Sequence, residues 1–223
     1  MKVVVSNEWV LEKLGDRGFS LHPREEIFSP ALNKDILHIW SFLSQNLPEG
    51  IAAVAPAATS LLLVSNLNSP VPDLQSLADQ LQKNWTHAQH APLPVAVTHQ
   101  IPVNYGGSEG PDLDTIARQL KIPPKEFVKL HASQLYQVFF MGFSFGFPYM
   151  GPLPRALQIA RKSIPLKQVP PGTLAIAGTY TGIYPRALPG GWHLIGKVQV
   201  SLVQEKSEKC LFSPGDQVQF IPG

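Results

Sequence analysis

Between Gly142 and Gly196 the chain is punctuated at short intervals by Gly142, Gly146, Pro148, Gly151, Pro170, Pro171, Gly172, Gly178, Gly182, Pro185, Pro189, Gly190, Gly191 and Gly196. Proline removes an amide donor and glycine costs backbone entropy inside a regular element, so long helices are excluded here. Short strands joined by rigid loops remain. The runs Val138 to Phe143, Leu174 to Ala177, Trp192 to Ile195, Lys197 to Val203 and Gln217 to Ile221 carry the β-branched, aromatic and other apolar residues that strands favour. The C-terminal part therefore reads as an all-β barrel or sandwich, and Ser213-Pro214-Gly215-Asp216 as the turn that returns its last strand to the sheet.

The N-terminal part has a different pattern. Trp9 to Leu14 and Phe19 to Leu21 flank Gly15-Asp16-Arg17-Gly18, which suits a hairpin reversal. Ser29-Pro30 supplies a capping hydroxyl and a proline at the first helical position. Leu32, Ile36, Ile39, Trp40 and Leu43 follow at helical spacing, so a helix is predicted from Pro30 to about Gln45. Ile51 to Val54 and Ser60 to Val64 read as strands, and Leu74, Leu77, Ala78 and Leu81 as a second amphipathic helix. Residues 1–86 thus form a small α+β domain. Residues 87–100, with Pro92, Pro94 and the histidines His87, His90 and His99, read as a linker, and 101–223 as the mainly-β domain. This last domain opens on the strand Ile101 to Tyr105; Asp112 can cap one helix and Pro123-Pro124 can start another.

Composition excludes several classes. With 44% hydrophobic residues in 223, the chain can bury a core without staples, and Cys210, its one cysteine, excludes an internal disulfide and a cysteine-based zinc site. His87 and His90 have no carboxylate or further histidine beside them to complete a metal site. The longest apolar runs fall far short of the roughly 20 residues that a membrane helix needs. The start, Met1 to Glu8, lacks a secretory pattern, so a cytoplasmic protein is expected. From Phe127 to Gln204 there is no Asp or Glu, while Lys129, Arg155, Arg161, Lys162, Lys167, Arg186 and Lys197 all fall there. Such a stretch suits an anionic ligand. No nucleic-acid-binding motif accompanies it, so a small phosphate or carboxylate fits better than nucleic acid.

Gly142-Phe143-Ser144-Phe145-Gly146 matches the G-x-S-x-G pattern of serine hydrolases, but a nucleophile elbow needs a helix straight after the turn. Pro148, Pro152 and Pro154 forbid one, and His193 precedes Asp216 instead of following an acid. The glycines and prolines instead suggest rigid loops lining a cleft. Tyr149, Tyr184 and Trp192, each with a polar handle, are candidates for its walls.

The blocks Gly142 to Tyr149, Val169 to Ala177, Thr181 to Pro185 and Pro189 to Gly196, with Tyr105 to Leu113 upstream, resemble the successive signatures of the 5-oxoprolinase B-subunit (PxpB/KipI) family. The resemblance implies an α+β N-terminal domain and a cyclophilin-like β-barrel C-terminal domain. It also implies partners, subunits A and C, with which family members hydrolyse 5-oxo-L-proline to L-glutamate using ATP. A lactam resists water, and phosphorylating its oxygen creates a leaving group; such a step wants cations near the phosphoryl group and firm placement of the substrate carboxylate. On this reading Arg161, Lys167 and Lys197 are the anion contacts, Glu109 and His131 the proton-handling candidates, and Tyr149, Tyr184 and Trp192 the pocket walls. A helix-end histidine bonded to backbone is the alternative role for His131. The chain departs from the family pattern at Phe145, Leu166, Tyr180, Leu188 and Lys197-Val198; Leu166 stands where an arginine is usual. One family member restrains a sensor histidine kinase by binding it, which makes a regulatory role the alternative.

Overall fold

The computed structural model describes residues 2–204, 207 and 209–223. The chain divides into two compact units, Met1–Pro94 and Val95–Gly223.

The first unit is an antiparallel sheet covered by helices. Its strands are β1 (Lys2–Val4), β2 (Trp9–Leu14), β3 (Gly18–Pro23), β4 (Ile51–Pro56) and β5 (Leu61–Ser65), in the spatial order β1-β2-β3-β5-β4. The helices are α1 (Pro30–Gln45), α2 (Leu74–Lys83) and α3 (Trp85–Gln89). Helix α1 begins where its cap predicts, the Ser29 hydroxyl accepting from the Leu32 amide at 3.0 Å. Strand β5 alternates strictly, burying Leu61 and Leu63 and exposing Leu62 and Val64. The buried leucines meet Ile36, Ile39 and Leu43 of α1 and Leu77 and Leu81 of α2. Each such side chain taken out of water contributes about 1.5–3 kcal/mol, which favours this pairing of sheet face and helix stripe over any slipped register. The stretch expected as a linker is partly structured: α3 buries Trp85 and Ala88, and Trp85 lies 5.5 Å from the ring of Trp9.

The second unit is built on β6 (Thr98–Tyr105), followed by α4 (Leu113–Gln119) and α5 (Pro124–Ala132). Next come β7 (Leu135–Met141), β8 (Pro148–Gly151), β9 (Leu166–Val169), β10 (Thr173–Ala177), β11 (Tyr180–Ile183), β12 (Leu188–Gly190) and β13 (His193–Val198). The short β14 (Val203–Gln204) and β15 (Lys209–Cys210) precede the last strand, β16 (Gln217–Pro222). Seven strands close into a barrel in the order β10-β11-β8-β7-β16-β6-β13. All neighbours are antiparallel except β16 and β6, which run parallel with Gln217 opposite Thr98 and Pro222 opposite Val103.

Alternation along β10 separates two cores. Leu174 and Ile176 join the barrel interior with Val103, Val138, Ile195, Val218 and Phe220, while Ala175 and Ala177 join a second cluster with Phe147, Val169, Tyr184, Trp192 and Leu194. The β9–β12 ribbon contributes Val169 and Leu188 to this outer cluster and so covers one side of the barrel.

Three expectations change. Trp192 to Ile195 and Lys197 to Val203 are not two strands: β13 runs through Gly196 without a break. Gly196 is needed for close approach, since a β-carbon there would lie 2.8 Å from the Asn104 carbonyl oxygen of β6. Strand β7 stops at Met141, short of Phe143, whose φ of 63° turns the chain. Strands β8, β11 and β12 form where the glycine and proline density predicts loops. Among the described residues no helix is long and apolar enough to cross a membrane.

Candidate functional site

The outer cluster carries the candidate site. Tyr149 on β8 is its centre, stacked on Phe140 at 4.3 Å and in edge contact with Trp192 at 5.5 Å and Tyr180 at 5.8 Å. Phe147 meets both Tyr184, at 5.1 Å, and Trp192, at 5.4 Å, in near-perpendicular geometry. These edge-to-face pairs fix the rings more firmly than area burial alone.

Arg161 reaches this cluster from a strap, residues 159–163, that crosses between the 3-10 turn Arg155–Leu157 and β9. The strap is tied on both sides of Arg161. Gly178 donates its amide to the Ile159 carbonyl at 2.6 Å, and the His193 imidazole lies 2.8 Å from the Ala160 carbonyl. The Lys162 amide donates to the Gly191 carbonyl at 2.8 Å, and the Lys162 ammonium lies 2.6 Å from Asp112 Oδ2. No carboxylate among the described residues pairs with Arg161.

Arg161, Phe143, Tyr149, Tyr184, Pro189, Gly190, Gly191 and Trp192 line a cavity of about 80 Å³. On its other side Arg161 borders a wider, more open cavity of about 540 Å³, shared with Gln119, Lys162, Ser163 and His193. Burial pushes the Tyr149 phenol above its usual range, and Tyr184 up to about 12, with the Arg161 charge opposing both shifts. Both phenols are therefore neutral hydrogen-bond donors at physiological pH, and Arg161 is the one full charge in the smaller cavity. A guanidinium fork beside two phenols, with an indole as flat wall, suits a small carboxylate attached to an apolar ring. Among the described residues no group of His, Cys, Asp and Glu could hold a metal ion.

Four residues singled out from sequence thus converge: Tyr149, Arg161, Tyr184 and Trp192. The other four lie elsewhere and do not line this cavity. Lys167 is exposed on β9. Lys197, on β13, packs its stem over Gly172, where an added β-carbon would lie 3.7 Å from its Cγ and Cε. Glu109 is half-buried in the turn between β6 and α4.

His131 is fully buried at the end of α5. Its Nδ1 lies 2.8 Å from the Tyr105 hydroxyl and its Nε2 lies 3.1 Å from Thr181 Oγ1. Thr181 donates to the Ala175 carbonyl at 3.3 Å. Since that carbonyl can only accept, the directions follow in order: Thr181 accepts from Nε2–H, and Nδ1 accepts from Tyr105. The imidazole is held neutral in a single tautomer, and burial pushes its pKa down to about 3.

Ser144 of the G-x-S-x-G run lies in the turn between β7 and β8, its hydroxyl accepting from Arg186 Nε at 3.0 Å, and a strand follows instead of a helix. Asp112 does not cap α4; its Oδ2 accepts from the Leu194 amide at 2.7 Å and faces Lys162. Its sequence context reads as a cap because an aspartate before a helix looks the same whichever amide it serves. Phe143, expected as the end of a strand, is a pocket residue with 58% of its surface exposed. Its left-handed backbone places it there, and no sequence pattern displays that conformation for a phenylalanine.

The profile of the carboxyltransferase domain, subdomain C and D, matches residues 9–212. The B subunit of 5-oxoprolinase from Escherichia coli O157:H7 is 37% identical over 187 residues, covering 82% of this chain and 84% of that protein. Its counterpart from Bacillus subtilis strain 168 is 30% identical over 220 residues, covering 95% and 91%. The chain belongs to this family. The crystal structure of TTHA0988 superposes with a TM-score of 0.77 at 32% identity, covering 93% of this chain but 40% of that one. Kluyveromyces lactis urea carboxylase shares the fold, with a TM-score of 0.75 at 18% identity over 100% of this chain and 22% of that one. In the present chain Pro189, Gly190 and Gly191 line the cavity beside the aromatic cluster.

Proposed function

We propose that the chain is the B subunit of an ATP-dependent 5-oxoprolinase, acting in the cytoplasm with subunits A and C. In that assembly 5-oxo-L-proline is opened to L-glutamate while ATP, a substrate of the complex, is cleaved to ADP and phosphate. The observation that carries the reading is the meeting of Arg161 with Tyr149, Tyr184 and Trp192 around one small cavity. Arg161 would hold the substrate carboxylate, the two phenols would donate to it, and Trp192 would flank the five-membered ring. Lactam activation forms a bond from the exocyclic carbonyl oxygen to the γ-phosphorus of ATP as the bond to the ADP oxygen breaks; the negative charge lies on the transferring phosphoryl oxygens and the departing ADP, and a cation fixed near them would stabilise it without reorganising.

The seven-stranded barrel is read as cyclophilin-like and the two units as separate domains joined within residues 87–100. Leu166, where an arginine is usual in the family, lies opposite Gly190 in the β9–β12 ribbon, beside the cavity, and Arg161 supplies the charge there. Glu109, Lys167 and Lys197 would then serve surfaces completed by the other subunits. His131, neutral and spent on Tyr105 and Thr181, would hold the barrel together and transfer no proton to substrate.

The test is reconstitution with subunits A and C and measurement of ATP-dependent glutamate release. Release that needs this chain and falls when Arg161 is replaced by methionine is expected. No release above the mixture lacking the chain would overturn the reading, and co-purification with a sensor histidine kinase in place of those subunits would favour the KipI-like role.

A further inference from the structure

The residue after Arg161 is held by one carboxylate from a distant part of the sequence. Asp112 Oδ2 accepts from the Leu194 amide at 2.7 Å and meets the Lys162 ammonium at 2.6 Å. Both side chains are largely covered, with 22% and 19% of their surfaces exposed, so water screens the pair little. The Asp112 amide also donates to the Leu194 carbonyl at 3.0 Å, so Asp112 grips the strand that follows Trp192 through main chain and side chain together. Lys162 is gripped twice as well, by Asp112 and, through its amide, by the Gly191 carbonyl at 2.8 Å. Arg161 is the residue between this anchor and Ala160, whose carbonyl is bonded to His193.

We infer that Asp112 and Lys162 form a latch that positions Arg161 over the cavity, which makes Asp112 a positioning residue for anion binding. The inference rests on the reading that the cavity takes a small carboxylate. It makes a prediction opposite in sign to a purely electrostatic role. As a bare negative charge near the site, Asp112 would oppose an anion, so neutralising it and freeing the Lys162 charge would tighten binding. As a latch it holds the guanidinium in its productive geometry, so neutralising it weakens binding in spite of the added positive charge.

The experiment compares wild type, Asp112→Asn, Lys162→Met and Lys162→Arg by calorimetric titration with 5-oxo-L-proline, with amide hydrogen exchange measured on the same samples. Asp112→Asn and Lys162→Met are each expected to weaken binding about tenfold, and Lys162→Arg, which keeps the pair, to stay within about twofold. Faster exchange should be confined to the amides of residues 160–163 and 191–194, with β10 keeping its wild-type protection. Lys162→Met breaks the pair without touching the Leu194 amide bond; since it also removes a positive charge, its hydrogen exchange and not its affinity tests the latch if Asp112→Asn folds poorly, and wild-type exchange in Lys162→Met would then overturn the inference. Tighter or unchanged binding in Asp112→Asn would overturn the inference. If wild type binds no 5-oxo-L-proline, the assignment of the cavity to that carboxylate fails while the subunit reading stands or falls by reconstitution, and exchange alone judges the latch: faster exchange in those two segments sustains it, and wild-type exchange in Asp112→Asn overturns it.

Discussion

The Tyr184 hydroxyl occupies the space that a β-carbon on residue 190 would fill. Tyr184 is 1% exposed and lies against Phe147, so it has nowhere to retreat. Gly190→Ala should therefore push the ring out of the cavity wall, costing about 1–3 kcal/mol as an overpacking change and abolishing carboxylate binding. Gly191→Ala is the matched control, because its β-carbon would meet only the Lys162 carbonyl and Pro165 at 3.7 to 3.8 Å, ordinary contact distances. Thermal melts and titration of the two variants side by side give the comparison; equal behaviour would show that Tyr184 does not shape the site.

Arg161 and lysine differ here in more than size. The residue is exposed and has no carboxylate partner among the described residues, so replacing it costs little stability, within about 0.5 kcal/mol. A lysine keeps the charge but loses the planar fork, so Arg161→Lys is expected to weaken carboxylate binding about tenfold, and Arg161→Met further, with melting temperatures unchanged. Binding retained in Arg161→Met would remove the guanidinium from the site.

How far the sequence discloses such a site depends on what each residue's neighbours in the chain can say. Helix α1 is legible from Ser29 to Gln45 because cap, proline and periodicity act within a few residues of each other. Tyr149, Arg161, Tyr184 and Trp192 are legible as types, a cation and three aromatics with polar handles among glycines and prolines. Their meeting is not, because it depends on how strands far apart in sequence close into a barrel. Asp112 shows the limit best: it stands where a helix cap would, yet serves Leu194 and Lys162, residues far along the chain. Gly196 misleads in the opposite direction, since the missing side chain that suggests a break is what lets β13 lie against β6.

His131 gives the barrel a calculable pH dependence. Its folded pKa is about 3 because it is buried without a counter-charge, against 6.5 for a free imidazole. The unfolded chain therefore binds a proton at a pH where the folded chain refuses one, and stability falls as pH drops from about 6.5 toward 3. The slope from this residue approaches about 1.4 kcal/mol per pH unit inside that window and vanishes above it. Urea titrations from pH 8 to pH 4 of wild type and His131→Phe should show the variant less stable at pH 8, having stranded the Tyr105 hydroxyl, but flatter toward acid. Parallel profiles would mean that the imidazole is not what the acid titrates.

Asp216 closes the barrel at its parallel seam. It is 5% exposed; Oδ1 accepts from the Val97 amide at 2.9 Å, and Oδ2 accepts from the Ser213 amide at 2.9 Å and faces His99 Nε2 at 3.1 Å. One carboxylate thus fixes the residue before β6, the turn before β16 and a side chain of β6 itself. A parallel pair has no tight turn to set its register, so this side chain does what a hairpin loop does elsewhere. Asp216→Ala removes the acceptor of the Val97 and Ser213 amides and should cost about 1.5–3 kcal/mol, whereas Asp216→Asn keeps one acceptor and should cost about half as much. The denaturation midpoint measures both, and the seam would have another anchor if Asp216→Ala unfolded at the same urea concentration as wild type.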